Sequence, residues 1–551
     1  MANEILTPIT LWEGFNDSLP FKETVLKTET IGSAVFNYLY FSGRSVGNKR
    51  VRIYGVYAKQ KNSKSDTIII LPSVSEGVDV NLVSHFSSLG FNVLTVDLRG
   101  KVDGESDFTV YPEEIAYANY ENRDRYMDYV DTNARETSWY EWCAVARYAV
   151  SYAKSNNPNG KIGVLGLKHG ANVAWQLTAT DERVSASAFA FGAGWLAYKG
   201  VSKFTQEEIE LDDERCRFIA GVDAHSYAQL VKVPVLYLGT TNSTEFDPER
   251  AVDTLQRVDN QNKSWINFVN SSKDTLDKYC LNDVKFFFQK YLSSKRIKFP
   301  SLPKLSLEID GEDIVYTVEY STVEDIKSIY VYASSNEIDA SVRTWFMPPL
   351  ESATEGKYVF RRRLHGYVEF EIAYAVVKYA NGLALSSKFV FENAEVSSNS
   401  KLPNVIFSSS KLVTTFLVDG CNGRKLGNVF TTDKLREYVS GPLGILGVST
   451  KNTIISYAIK EFSANLNDKS FIKFDVYTAI NDTITIKLLS KSGFEYLSSV
   501  KLNAQDKWQN LTIEFSEFKT EIGMPIKNFS DIYLIAVSSQ GGVAVNNFLI
   551  L

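Results

Sequence analysis

The stretch Lys161-Ile-Gly-Val-Leu-Gly166-Leu-Lys168-His169-Gly170-Ala-Asn-Val-Ala-Trp-Gln-Leu177 decides the reading of the first half of this chain. The apolar run before Lys168 predicts a strand buried on both faces. After Gly170 the spacing becomes helical. Glycines at 166 and 170 permit a tight turn between the two, and the residue at 168 projects from it.

The same alternation continues on either side. Asp66–Pro72, Phe91–Leu98, Val184–Phe191 and Val233–Gly239 read as further buried strands, separated by helical patterns such as Thr137–Ser155 and Asp274–Leu292. Ile31–Ser42 and Arg50–Lys59 alternate in period two, as antiparallel strands leading into the sheet would. The expectation is a mostly parallel sheet covered by helices. Two breaks bound it: the basic, proline-containing segment Leu292–Pro303 and the polar linker Val396–Asn404. The chain is therefore read as multidomain, with an α/β domain over 1–297 and two all-β sandwiches. Residues 298–399 have strand spacing of immunoglobulin-like or fibronectin-like type, and 400–551 that of a jelly roll. In the last, Ile484, Ile486 and Leu488 share one face, as do Leu511, Ile513 and Phe515, and Ile532, Leu534 and Ala536.

Composition narrows the function classes. With 59 basic against 65 acidic residues the formal charge is -6, which argues against binding nucleic acid by phosphate neutralisation. Cys143, Cys216, Cys280 and Cys421 form no C-x-x-C pair, so neither a disulfide framework nor a zinc site is signalled. No cofactor motif is present and no metal is expected. The opening residues lack a basic stretch followed by an apolar one, and no run reaches about 18 apolar residues. The expectation is synthesis in the cytoplasm without membrane insertion, and use there or in a virion or surface assembly.

Residues 1–295 resemble the acetyl xylan esterase and cephalosporin deacetylase family of α/β-hydrolases. The resemblance rests on Leu11-Trp-Glu-Gly-Phe-Asn-Asp17, Val96-Asp-Leu-Arg-Gly100, the Gly166–Gly170 elbow and Val222-Asp-Ala-His-Ser-Tyr-Ala-Gln-Leu-Val-Lys-Val-Pro234. It implies an esterase triad, and this chain departs from it at every position. The family's serine falls on Lys168, its acid on Asn242 and its histidine on Asn270. Histidine counting agrees: His85, His169, His225 and His365 are the full set, and none lies late in the first domain where a triad base belongs. Asp247 or Glu245 could replace the acid, but would have no base to orient. Ser73 and Ser75 are read as satisfying loop backbone groups.

Lys168 is read as reaching solvent or a carboxylate. The sharper alternative is an amine nucleophile activated by the unfavourable helix dipole. His169 is read as packing or capping. Tyr111, Tyr117, Tyr120, Tyr126 and Tyr129, in the insert 101–136, are ligand-binding candidates that would overhang the crevice and stack on sugars; otherwise they pack the insert. The acidic run Glu207–Asp213 and the basic Arg361–Arg363 are read as solvated or sheet-face charge.

The third domain resembles galactose-binding-like jelly-roll carbohydrate-binding modules through Lys507–Phe518 and Gly541–Ile550. There Asn546 and Asn547 stand where such modules often carry a calcium-binding aspartate. Trp508 falls where that fold buries a tryptophan, leaving Tyr438, Tyr457, Tyr477 and Tyr496 as alternative platforms. The expectation is a non-catalytic pseudo-esterase that binds a glycan or belongs to a structural assembly, with a glycan, another protein or a second copy as partner. The rivals are a carbohydrate esterase or acyl transferase with relocated groups, and a virion or cell-surface component that binds no sugar.

Overall fold

The fold is that of a computed structural model. It describes residues 4–18, 20–61, 65–122, 127–204, 210–243, 245–259, 264–270, 274–293, 297–343, 345–364, 366–398, 405–409, 413–414, 417–418, 438–451, 453–459 and 465–551.

The first unit is built on nine strands: β1 (Thr24–Ile31), β2 (Ala34–Val46), β3 (Lys49–Gln60), β4 (Thr67–Leu71), β5 (Asn92–Val96), β6 (Ile162–Leu167), β7 (Val184–Ala190), β8 (Val235–Thr240) and β9 (Ser264–Val269). Their order across the sheet is β1-β2-β3-β5-β4-β6-β7-β8-β9. Strands β1 to β3 are antiparallel, β3 meets β5 antiparallel, and every pairing from β5 to β9 is parallel. Strands β4 and β5 are buried along their whole length. That is why their sequences run apolar instead of alternating.

Helices α1 (Pro8–Trp12), α2 (Val80–Ser88), α3 (Ser138–Asn156), α4 (His169–Thr180), α5 (Asp213–Gly221), α6 (Ala224–Tyr227), α7 (Pro248–Gln256) and α8 (Lys278–Tyr291) complete the unit. The helix expected from Asp274 begins four residues later. Asp277 caps it, accepting from the Tyr279 and Cys280 amides at 2.8 Å, and this leaves Asp274 on the preceding loop. Strand order reverses between β4 and β6, so the loops after these two strands border the crevice where open α/β sheets bind ligands. Among the described residues no helix is long and apolar enough to cross a membrane.

The second unit comprises two antiparallel sheets. One contains β10 (Lys304–Asp310), β11 (Asp313–Glu319), β13 (Leu350–Thr354) and β14 (Lys357–Arg363); the other contains β12 (Ile326–Ser335), β15 (Gly366–Tyr379), β16 (Ala384–Ser386) and β17 (Val390–Ser398). It does not stand apart from the first unit. Trp345, Ile372, Tyr374 and Val376 join the cluster that contains Trp139, Trp142 and Phe268. Tyr316, Val331 and Val377 join the one that contains Phe86, Phe287 and Phe288. Polar bonds cross as well: Ser386 Oγ accepts from the Phe268 amide at 2.8 Å, and Asp283 accepts from the Ala384 amide at 2.9 Å.

The third unit is also antiparallel, in a seven-stranded and a five-stranded sheet. Among the described residues, its apolar clusters draw only on those from Ile406 onward. Ile484, Ile486 and Leu488 face inward together, but the shared face expected for Ile532, Leu534 and Ala536 is split. Ile532 joins Ile535 and Val537 in the main cluster, whereas Leu534 and Ala536 pack with Ile455, Tyr457 and Leu489 on the other side. The cause is a register shift: Leu489 pairs with Leu534 and Ser490 with Ile532, skipping Tyr533, and one extra residue turns every later side chain to the opposite face.

Candidate functional site

The turn after β6 has the geometry of a nucleophile elbow. Lys168 has φ 52° and ψ -122°, a region that L-residues seldom occupy and that costs on the order of 1–3 kcal/mol. The flanking glycines are required by contact. A Cβ at Gly170 would lie 2.1 Å from the Pro72 carbonyl oxygen, and one at Gly166 would lie 2.6 Å from the Ala171 Cα. The Lys168 amide donates to the Ala190 carbonyl at 2.7 Å and fastens the turn to β7.

From this turn the Lys168 ammonium reaches Glu76 Oε1 at 2.6 Å. Glu76 comes from the loop after β4, so the pair straddles the crevice at the reversal of strand order. With side-chain exposures of 35% and 48%, the ion pair is worth at most about 1 kcal/mol. Around it lies a cavity of about 380 Å³ whose lining includes Leu82, His85, Phe191, Asp274 and Leu281. Asp274 accepts from the Thr240 hydroxyl and, at 3.0 Å, from that of Ser243. Burial raises its carboxyl above the ordinary value, against the opposing pull of these hydroxyls and the Lys168 ammonium. His85 Nε2 is buried and has no hydrogen-bond partner among the described residues. Burial, with a smaller contribution from Lys285, lowers the pKa of its imidazole.

The other two triad positions sit side by side at the ends of β8 and β9, where the Thr241 hydroxyl bridges Asn242 Oδ1 at 2.9 Å and Asn270 Oδ1 at 3.4 Å. Asn242 is buried, and both ends of its amide also engage the second unit. Its Nδ2 donates to the carbonyls of Ala340 at 3.0 Å and Arg343 at 2.7 Å, and its Oδ1 accepts from the Trp345 indole at 3.0 Å. Beside it, the buried Arg343 guanidinium pairs with Glu249 at 2.5 Å.

The substitutes for the acid are engaged elsewhere. Asp247 caps α7 through the Arg250 amide, and Glu245 pairs with Lys199 at 2.6 Å. Ser73 and Ser75 lie 3.1 Å apart, hydroxyl to hydroxyl. His169 packs between Trp139 and Phe246, with ring centroids 6.1 and 5.6 Å away. His225 stacks on Trp195 at 4.1 Å. His365 and Tyr126 lie outside the described residues.

Among the described residues, the insert tyrosines Tyr111, Tyr117, Tyr120 and Tyr129 are not in the lining of the Lys168 cavity. Tyr111 is buried and donates to the Leu98 carbonyl at 2.9 Å. Tyr117 is half-buried near Glu141, the partner of Arg44. Tyr120 and Tyr129 are also half-buried. The insert itself is pinned to α3, where the Trp142 indole donates to the Ala118 carbonyl at 2.8 Å. Sequence order discounted His85 as too early in the chain, yet α2 carries it to the cavity. Asp274 had no signal beyond its place at the start of a helical pattern.

Arg361, Arg362 and Arg363 pair with Asp310, Glu371 and Asp313. The start of the acidic run lies outside the described residues; Asp212 within it caps α5. Among the described residues no group of three or more His, Cys, Asp or Glu side chains could hold a metal ion. In the third unit Trp508 is half-buried over Gly441 and Gly447, and its indole donates to the Pro442 carbonyl at 3.2 Å. Tyr457 and Tyr496 are buried, Tyr477 is half-buried and Tyr438 is exposed. Asn546 binds Ser409, and Asn547 donates to Asp475 at 2.8 Å.

Residues 53–262 match the profile of the dienelactone hydrolase family. Together with the sheet order and the elbow, this makes the N-terminal part an esterase-like α/β-hydrolase fold. Similar solved structures include an acetyl xylan esterase from Paenibacillus sp. R4, 13% identical over 50% of this chain and 90% of that one, with a TM-score of 0.38. Acetyl xylan esterase 1 from Thermoanaerobacterium sp. JW/SL YS485 is 17% identical over 47% and 85%, with a TM-score of 0.35. A dienelactone hydrolase from Klebsiella pneumoniae is 12% identical over 48% and 100%, with a TM-score of 0.33. No curated protein matches the sequence.

Proposed function

We propose that this protein is a pseudo-esterase, a non-catalytic chain that uses a hydrolase framework for glycan binding or as part of a structural assembly. In this reading the second and third units are an immunoglobulin-like spacer and a jelly-roll carbohydrate-binding-like module. The observation that carries it is the occupant of the elbow. The turn keeps its strained backbone and both glycines, but holds an ammonium ion-paired to Glu76 where acyl transfer needs a hydroxyl beside a base. The acid position supports the same reading, since Asn242 is spent on the contact with Ala340, Arg343 and Trp345.

The test is turnover of p-nitrophenyl acetate and acetylated sugars by the full chain. The expected rate matches that of a control protein with surface lysines. Saturable turnover that disappears in Lys168→Ala overturns the proposal and assigns chemistry to the lysine, with Glu76, Asp79, His85 and Asp274 among the cavity's other titratable groups. A glycan array probed with residues 400–551 then separates sugar binding from an assembly role.

A further inference from the structure

A second cavity, of about 350 Å³, lies where the first unit meets the second. Its walls come from residues between Gly194 and Ser202, from Ser243, Glu245, Asp247 and Arg250, and from the turn at Asp339–Ser341. Among the described residues it shares no lining residue with the Lys168 cavity.

Its distinctive group is Arg250. The guanidinium lies 4.6 Å from the Tyr198 ring centroid and 5.4 Å from that of Trp195, and Nε donates to the Val201 carbonyl at 3.3 Å. The two terminal nitrogens have neither a hydrogen bond nor an ion pair among the described residues. The other charged groups of the lining are engaged. Lys199 pairs with Glu245 at 2.6 Å; Asp247 accepts from the Arg250 and Lys203 amides; Asp339 accepts from the Ser341 amide and hydroxyl.

The support beneath Arg250 is rigid. Trp195 is held at φ 63°, a left-handed conformation that is costly for a bulky residue. It is fixed there by its stack on His225 and by its indole bond to Thr254 at 2.9 Å. The Asp223 carboxylate accepts the Trp195 and Leu196 amides at 2.9 and 3.0 Å. A guanidinium clamped on two rings with its fork open is pre-organised for a planar carboxylate, which it can grip through two parallel bonds. The hydroxyls of Ser202 and Ser341 and the carboxylates of Glu245 and Asp339 line the rest and suit a ligand rich in hydroxyls. Three acidic residues in the lining disfavour a dianion such as phosphate.

We infer that this inter-unit cavity binds a small polyhydroxylated carboxylate, an acidic monosaccharide of the uronic acid class, with Arg250 gripping the carboxylate. This does not depend on the pseudo-esterase reading, because the Lys168 cavity is separate.

The test is calorimetric or ligand-observed NMR titration of the full-length protein with glucuronate and galacturonate, with glucose and inorganic phosphate as comparison probes. The expected result is saturable uronate binding at least about tenfold tighter than binding of glucose or phosphate. Arg250→Gln is expected to weaken it by about tenfold or more, the loss of one charge-assisted bidentate pair. Ser341→Phe puts a bulky ring into the lining contributed by the second unit and leaves the Arg250 side chain itself unchanged. It is expected to abolish binding too, with the thermal midpoint of each variant confirming its fold. No uronate binding by the parent protein, equal affinity for glucose, tighter binding of phosphate, or uronate affinity unchanged in either folded variant overturns the inference.

Discussion

Replacing Asn242 by aspartate, which restores the acid of an esterase triad, is expected to unfold the junction between the first two units instead of reviving chemistry. The wild-type amide donates to two carbonyls of the second unit and accepts the Trp345 indole while buried at 3% exposure. A carboxylate keeps the acceptance and loses both donations. Two buried carbonyls at about 1–3 kcal/mol each, plus the desolvated charge facing them, give a cost of about 3–5 kcal/mol at neutral pH. Protonation returns one donor, and a carboxyl buried against carbonyls has its pKa raised. The penalty should therefore shrink as pH falls, since the folded variant then holds a proton that the unfolded chain has released. Urea unfolding followed by tryptophan fluorescence should show the midpoint reduced on the order of 1 M at neutral pH, and by less near pH 5. Hydrogen exchange at residues 338–346 should rise in parallel. A variant within about 0.5 kcal/mol of the parent, or a penalty independent of pH, refutes the reasoning.

Other expectations follow from the same contacts. Burial pushes the Glu249 carboxyl up from 4.5 to about 7 despite the pull of Arg343, so its contribution to stability falls as pH rises through that window. Glu249→Gln should flatten the decline of the thermal midpoint across it, and parallel profiles would show the carboxyl is not titrating as described. Gly170→Ala should destabilise the first unit by more than about 3 kcal/mol, because the added methyl meets backbone at 2.1 Å; near-native thermal melting would contradict that. Residues 400–551 expressed alone should unfold cooperatively, since their apolar clusters are self-contained. Residues 1–297 alone should bind a hydrophobic dye far more than residues 1–399, and equal binding would refute the shared core between the first two units.

The elbow was legible because its evidence is local: a buried strand, two glycines and a helix within seventeen consecutive residues. Its partner was not, because Glu76 lies 92 positions away and only the sheet order brings the loops after β4 and β6 together. The change at Asn242 could be read as loss of the acid, but the use made of the amide depends on residues 98 to 103 positions downstream. Periodicity found Ile484, Ile486 and Leu488 correctly and misassigned Leu534 and Ala536, because a single skipped residue at Tyr533 leaves no mark in the alternation before it. The insert tyrosines show the same limit: an aromatic-rich loop is compatible with a ligand platform or an internal core, and the bonds that tie it to the α3 tryptophans, at the Met127 and Ala118 carbonyls, come from outside the loop.

The shared core also bears on how the protein is made. At about 5–20 residues per second, roughly 5–20 seconds separate the emergence of residue 297 from that of residue 399. Through roughly the first half of that interval Asn242 and Glu249 stand on a nascent surface before Arg343 and Trp345 exist to meet them. Phe268, packed at the junction against Tyr374 and Phe389, waits with them. The ribosome-bound intermediate is thus a nearly complete hydrolase sheet with an open sticky flank, which makes the pace of translation through the second unit, and any chaperone that can occupy that flank, determinants of yield.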